Sequence, residues 1–131
     1  MAVSLRAAAA YESESVIKMN RMASGSTLLD TASTYMQDIA EETVTDWSAA
    51  KKVLKDTVGV TEGLPDSIDS YANRMAAITA IKTRIDALTQ QQQQAMIDLQ
   101  TLVNRRDVAY AASSNIVKTI GNSQSNNATN I

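Results

Sequence analysis

Residues 66–120 contain neither proline nor glycine, and their apolar side chains recur every three or four positions. Proline and glycine are the strongest local breakers of regular structure, so their absence over such a run predicts one long helix. At ~1.5 Å per residue that helix is roughly 80 Å long. A helix cannot hide an apolar stripe against itself. The stripe must be covered by a hairpin partner, by other copies of the chain or by another protein, which suits assembly better than catalysis.

The stripe reads Ile68, Tyr71, Met75, Ile78, Ile81, Ile85 and Leu88; Gln92 then occupies the seam, and Met96, Leu99, Val103, Tyr110, Val117 and Ile120 continue it. This three–four alternation is coiled-coil-like. Ile78, Ile81, Ile85, Leu88, Met96, Leu99, Val103 and Tyr110 are its expected packing and interface residues. The 90–94 glutamine run has two readings. It is a solvated helical turn, since glutamine is a fair helix former, or a polar layer that sets register between helices.

Upstream, 2–22 is rich in alanine and predicts an N-terminal helix with a sparse stripe of Val3, Ala7, Ala10, Val16, Met19 and Met22. Such a helix is marginal alone and needs a partner. Gly25 between two serines is expected to end it. Thr27 or Ser26 can cap a second helix over 27–58, with Leu29, Ala32, Met36, Ile39, Trp47, Ala50, Leu54 and Val58 on one side and a polar gap at Thr43. Acidic residues lead and Lys51, Lys52 and Lys55 close this segment, matching the helix dipole. Residues 59–65 predict a turn, with Gly59 as a left-handed helix end and Pro65 in the first turn of the helix after it. A short connection between long helices predicts an antiparallel pair. The expected fold is therefore all-α: a long antiparallel helical hairpin, coiled-coil-like, with an additional N-terminal helix and a polar tail at 121–131. Because 27–58 covers little more than half of 66–120, the remaining stripe is expected to bury against 2–22 or neighbouring copies.

Composition narrows the function classes. The chain has 131 residues, a length suited to one domain. It contains no His, Cys or Phe. A nucleophile–His triad, the common zinc sites and thiol chemistry are thereby excluded. There is no glycine-rich phosphate loop. Asp38 with Glu41 and Glu42 reads as a solvated acidic helix face, and Arg105, Arg106 and Asp107 as an ion-pair cluster or interface anchor. Enzymatic activity and bound cofactors or metals are not expected. A net charge of −2 without a basic stripe argues against nucleic acid. No segment approaches ~18 apolar residues, so none is expected to span a membrane. The N-terminus lacks the apolar core of a cleavable signal. The chain is expected in the cytoplasm, or outside the cell by a route that reads no cleaved signal.

The C-terminal residues 115–120, Asn-Ile-Val-Lys-Thr-Ile, followed by Asn122 and the final pair Asn130 and Ile131, resemble the end of type III secretion needle subunits. Tyr110 and Ser114 sit compatibly. Residues 64–71, Leu-Pro-Asp-Ser-Ile-Asp-Ser-Tyr, are similar to the start of the last helix in EspA-type sheath filament subunits of the same secretion systems. The resemblance covers 110–131 and 64–71. It implies helical hairpins that polymerise into hollow tubes and leave the cell without a cleaved signal. It also implies an interface role for Val117, Lys118, Ile120 and Ile131. Needle subunits are shorter, and the Asn/Ser-rich residues after Gly121 are less apolar than their pattern.

The leading expectation is a secreted structural subunit that self-assembles into a helical tubular filament of a protein secretion apparatus. Its partners would be other copies of itself and a cytosolic chaperone before export. The alternatives are a cytosolic helical chaperone or adaptor that sheathes an amphipathic partner, and a secreted translocator component. A small helical bundle with an unrelated role stays open.

Overall fold

The computed structural model of the chain describes the backbone of residues 2–125 and the side chains of 4–113. It is all-α, with no strand among the described residues. Helix α1 spans Ala2–Ala40, α2 spans Trp47–Val53 and runs on through a π-helical turn at Leu54–Val58, and α3 spans Tyr71–Ser125. Helix α1 packs against α3 as a hairpin, and α2 lies in the connection between them.

The third helix thus stands between the two long ones rather than at the N-terminus. The expected break at Gly25 is absent, and 2–22 and 27–40 form one helix. A mid-helix glycine costs only about 1 kcal/mol against alanine, and packing outweighs it here. A Cβ at Gly25 would stand 2.7 Å from Gln92 Oε1. The bare backbone lets the Gln92 amide reach α1, where Nε2 donates to the Met22 carbonyl at 2.7 Å. Thr27 caps nothing; its hydroxyl donates to Ala23 O one turn back, as Thr31 does to Thr27 and Thr34 to Asp30.

The break falls at 41–46, inside the segment expected as one helix over 27–58. Glu42 takes a left-handed φ of 61°. The Glu42 amide donates to Ile39 O and the Thr43 amide to Asp38 O, the paired bonds of a Schellman ending. Glycine normally holds that position; Glu42 holds it with its carboxylate 3.0 Å from Arg74 Nη2. Asp46 then caps α2, accepting from the Ala49 amide at 3.0 Å.

Helix α3 begins at Tyr71 rather than at 66 because Ser70 Oγ accepts from the Asn73 amide. The stretch 59–70 is therefore connection. Its Pro65 carbonyl accepts from Trp47 Nε1 at 3.0 Å, and Asp66 lies 3.3 Å from Lys51 Nζ. Gly59, at φ 90°, ends the π-helical turn as expected. The polar tail expected from 121 is helical through Ser125; 126–131 lie outside the described residues.

Two compact units emerge from the packing: Met22–Gln94, and Met1–Arg21 with Ala95–Ile131. In Met22–Gln94, α2 and the residue after Gly59 cover the helix pair. Ala32 and Ile39 of α1, Leu54, Val58 and Val60 of the connection, and Ala77, Ile81 and Leu88 of α3 form one buried cluster. Leu28, Leu29, Tyr35, Met36 and Trp47 pack around it. The Arg84 guanidinium donates through Nε to the Val58 carbonyl at 2.8 Å, tying the π-helical turn to α3.

Candidate functional site

The expected packing residues separate by unit. Ile81 and Leu88 are buried in the Met22–Gln94 core, and Ile78 and Ile85 are half-buried against it. Tyr71 and Met75, the expected start of the stripe, are exposed. The Ser70 cap opens the helix at Tyr71, and the line that faces the core is Ala77, Ile81 and Leu88 instead. In the other unit Leu99 and Val103 are half-buried, while Met96 and Tyr110 are exposed. Val117, Lys118 and Ile120 belong to α3, but their side chains, and Ile131 altogether, lie outside the described residues.

Among the described residues, the unit of Met1–Arg21 and Ala95–Ile131 is built from α1 and α3 alone. Its buried side chains among the described residues are small: Ala8 and Ser15 on α1 and Ser113 on α3. The Ser15 hydroxyl donates to Tyr11 O at 2.8 Å. Ser113 Oγ has no hydrogen-bond partner among the described residues. Small residues bring two backbones close and bury little apolar area. Along α1 the inward line runs Ser4, Ala8, Tyr11, Ser15 and Lys18. Among the described residues the length mismatch inferred from sequence is met in part within the chain, because the first half of α1 runs along α3 from Asp98 to Tyr110.

The large apolar side chains stand outside this thin seam. Leu5, Val16 and Met19 are each 45–48% exposed. With Ala9 and Glu12 they form a second line on α1 at alternating four–three spacing, one residue out of phase with the buried line. Tyr110 of α3 donates its hydroxyl to Glu12 Oε2 at 2.9 Å, so it stands on the same side of the pair. Met96 and Val103 precede Tyr110 on its own helix line at sevenfold spacing. The hydrogen bond to Glu12, desolvation and the nearby carboxylate charge all raise the Tyr110 pKa above the ordinary phenol value. Sequence reading placed Val16 and Met19 on a different stripe and missed Leu5; the signal was the 5–9–12–16–19 alternation, one residue away from the inward line.

Another side of the same helix pair is charged. A groove of about 530 Å³ is lined by Glu14, Ile17, Lys18 and Arg21 of α1 and by Asp98, Thr101, Leu102 and Arg105 of α3. Lys18 Nζ lies 3.5 Å from Asp98 Oδ2. Arg21 and Arg105 make no ion pair among the described residues. A second groove, lined by Ala7, Tyr11, Val108, Ala109 and Ala112 among others, is mainly apolar. The 90–94 run contributes one half-buried residue, Gln92, whose amide makes the contact with the Met22 carbonyl described above; its neighbours Gln90, Gln91, Gln93 and Gln94 are exposed.

Among the described residues no group of three or more acidic, His or Cys side chains is placed to hold a metal ion. Among them no helix is long and apolar enough to cross a membrane. Comparison with protein-family models, with curated proteins and with solved structures finds no match.

Proposed function

We propose that this chain is a structural subunit that self-assembles through its long helices into a tubular filament, acting as a secreted component of a protein secretion apparatus. The observation that carries the self-assembly is the uncovered line of Leu5, Val16 and Met19, with Tyr110 beside it through Glu12, on a unit whose described buried side chains are Ala and Ser. Folding leaves these apolar side chains in water on one line of the helix, and apolar surface gathered in this way marks an interaction site. Four–three spacing along a helix is the geometry that receives another helix. The secretion role rests on the resemblance of 115–131 to needle subunits and of 64–71 to sheath filament subunits.

The test is negative-stain microscopy of the purified protein over a concentration series, with light scattering of the same samples. Uniform thin tubes that lengthen with concentration are expected. A monodisperse small oligomer at every concentration overturns the filament and favours a helical chaperone or adaptor. The secretion role is tested separately by export: a host that carries the apparatus should release the protein, and the same host with the apparatus deleted should retain it; equal release from both, or retention in both, would overturn that part.

A further inference from the structure

Charge is divided unequally between the two units. Met1–Arg21 with Ala95–Ile131 carries six Lys/Arg against four Asp/Glu, net +2, whereas Met22–Gln94 carries six against ten, net −4, accounting for the chain's −2. The excess is localised on both sides. Between Met22 and Ala50 there is no Lys or Arg, while Asp30, Asp38, Glu41, Glu42 and Asp46 fall there. Three of these are engaged within the chain, Glu42 with Arg74, Asp46 as the α2 cap and Glu41 by accepting from the neutral Gln37 amide at 3.1 Å, which leaves the Glu41 charge uncancelled. Asp30 and Glu41 are exposed, eleven residues apart and so close to one helix line. In the other unit Arg21 and Arg105 line the groove together with Ile17 and Leu102. Lys18 and Asp98 cancel there, and Glu14 is the remaining acid.

We infer that copies of this chain join head to tail, with the Arg21–Arg105 groove of one copy receiving the acidic end of α1, around Asp30 and Glu41, of the next. This rests on the self-assembly reading above and specifies its polarity. Apolar lines pack on one another in any order, so Leu5, Val16 and Met19 supply area without direction. Opposite charges on different parts of one chain supply direction, because like-facing pairings juxtapose like charges and are penalised. The two patches differ, so the contact is heterologous. A heterologous contact leaves an unsatisfied patch at each end of every oligomer and propagates until the rotation closes.

A charge-swap experiment tests this with full-length protein. R21E/R105E places an acidic groove beside an acidic α1; D30K/E41K places a basic α1 beside a basic groove. All four side chains are exposed at the surface, and circular dichroism checks that each variant keeps its helicity. Each variant alone should need at least roughly a hundredfold higher concentration to assemble, two charge reversals each being worth about tenfold or more. An equimolar mixture should assemble near the wild-type concentration, because each groove then meets an α1 of opposite charge. Wild-type assembly should also weaken as salt rises from 50 to 500 mM, by about tenfold or more in critical concentration, as expected for exposed charges under shorter screening lengths. If wild type assembles and either variant alone assembles equally well, or the mixture fails to recover, the head-to-tail pairing is wrong and self-assembly stands. If wild type stays monomeric under all conditions, both the pairing and the assembly reading fall.

Discussion

The same two helices build both units of this protein, yet the units bury opposite kinds of residue. In Met22–Gln94 the α1/α3 pair is covered by α2, and Ile39, Leu54, Val58 and Ile81 are completely enclosed. In Met1–Arg21 with Ala95–Ile131 nothing among the described residues covers the pair. There Ala8, Ser15 and Ser113 are inside while Leu5, Val16, Ile17, Met19, Ile97 and Val108 face outward. Two packed helices enclose little volume, so large side chains find cover only where a third element is present. The first unit is a small folded core. The second is a helix pair whose apolar residues are left available to something else.

Four measurements sharpen or break that contrast. The largest effect is expected for Ile81→Ala, which empties the centre of the covered core; chemical denaturation should show a loss of about 2–5 kcal/mol. A loss below about 1 kcal/mol would mean that this unit is not the stabilising core. Next, Gln92→Ala removes the amide that reaches the Met22 carbonyl and should cost about 1 kcal/mol. In that background Gly25→Ala no longer meets the Gln92 side chain and should recover about 1 kcal/mol through helix propensity. In the wild-type background the same change should gain much less, since it displaces Gln92. Equal Gly25→Ala effects in both backgrounds would sever the proposed link between the two residues.

In the uncovered unit, Val16→Ala and Met19→Ala should each change monomer stability by no more than about 0.5 kcal/mol, yet raise the concentration needed for assembly. Core-sized losses of monomer stability would show that these side chains are covered within the chain and would end the comparison. The smallest effect concerns Tyr110. Its phenol is stabilised in the neutral form by Glu12, so its raised pKa makes the contribution present at neutral pH and lost as pH climbs through the Tyr110 titration. Ultraviolet titration should show a phenol titrating above its ordinary value, and Glu12→Gln should bring it down. An unmoved titration would remove the Glu12 contact as its cause.

Much of the fold was legible because it depends on local chemistry. The absence of breakers over 66–120, the helical spacing of Ile78, Ile81, Ile85 and Leu88, and Gly59 as a helix end each announce themselves within a few residues. The errors arose where a contact distant in sequence overruled local preference. Gly25 looks like a stop until Gln92 is seen to need its bare backbone. Glu42 looks helical until Asp38 and Ile39 close the helix over it and Arg74 pairs with it. Pro65 and Asp66 look like a helix start, but Ser70 supplies the cap that sets it. The candidate site was less legible for the same reason. Leu5, Val16 and Met19 carry a sound helical period, but period alone does not tell which of two adjacent lines on a helix turns inward.

By itself, then, the sequence determined that this chain is helical, that its longest helix needs a partner, and that it lacks the side chains for His- or Cys-based chemistry, because propensity, spacing and composition are properties of the chain alone. The tertiary structure decided that α1 is one helix, that the turn lies at 41–46, that α2 covers only the Met22–Gln94 unit, and that the apolar line of the other unit faces outward. Those outcomes depend on which surfaces meet, and burial is a competition among all of them at once.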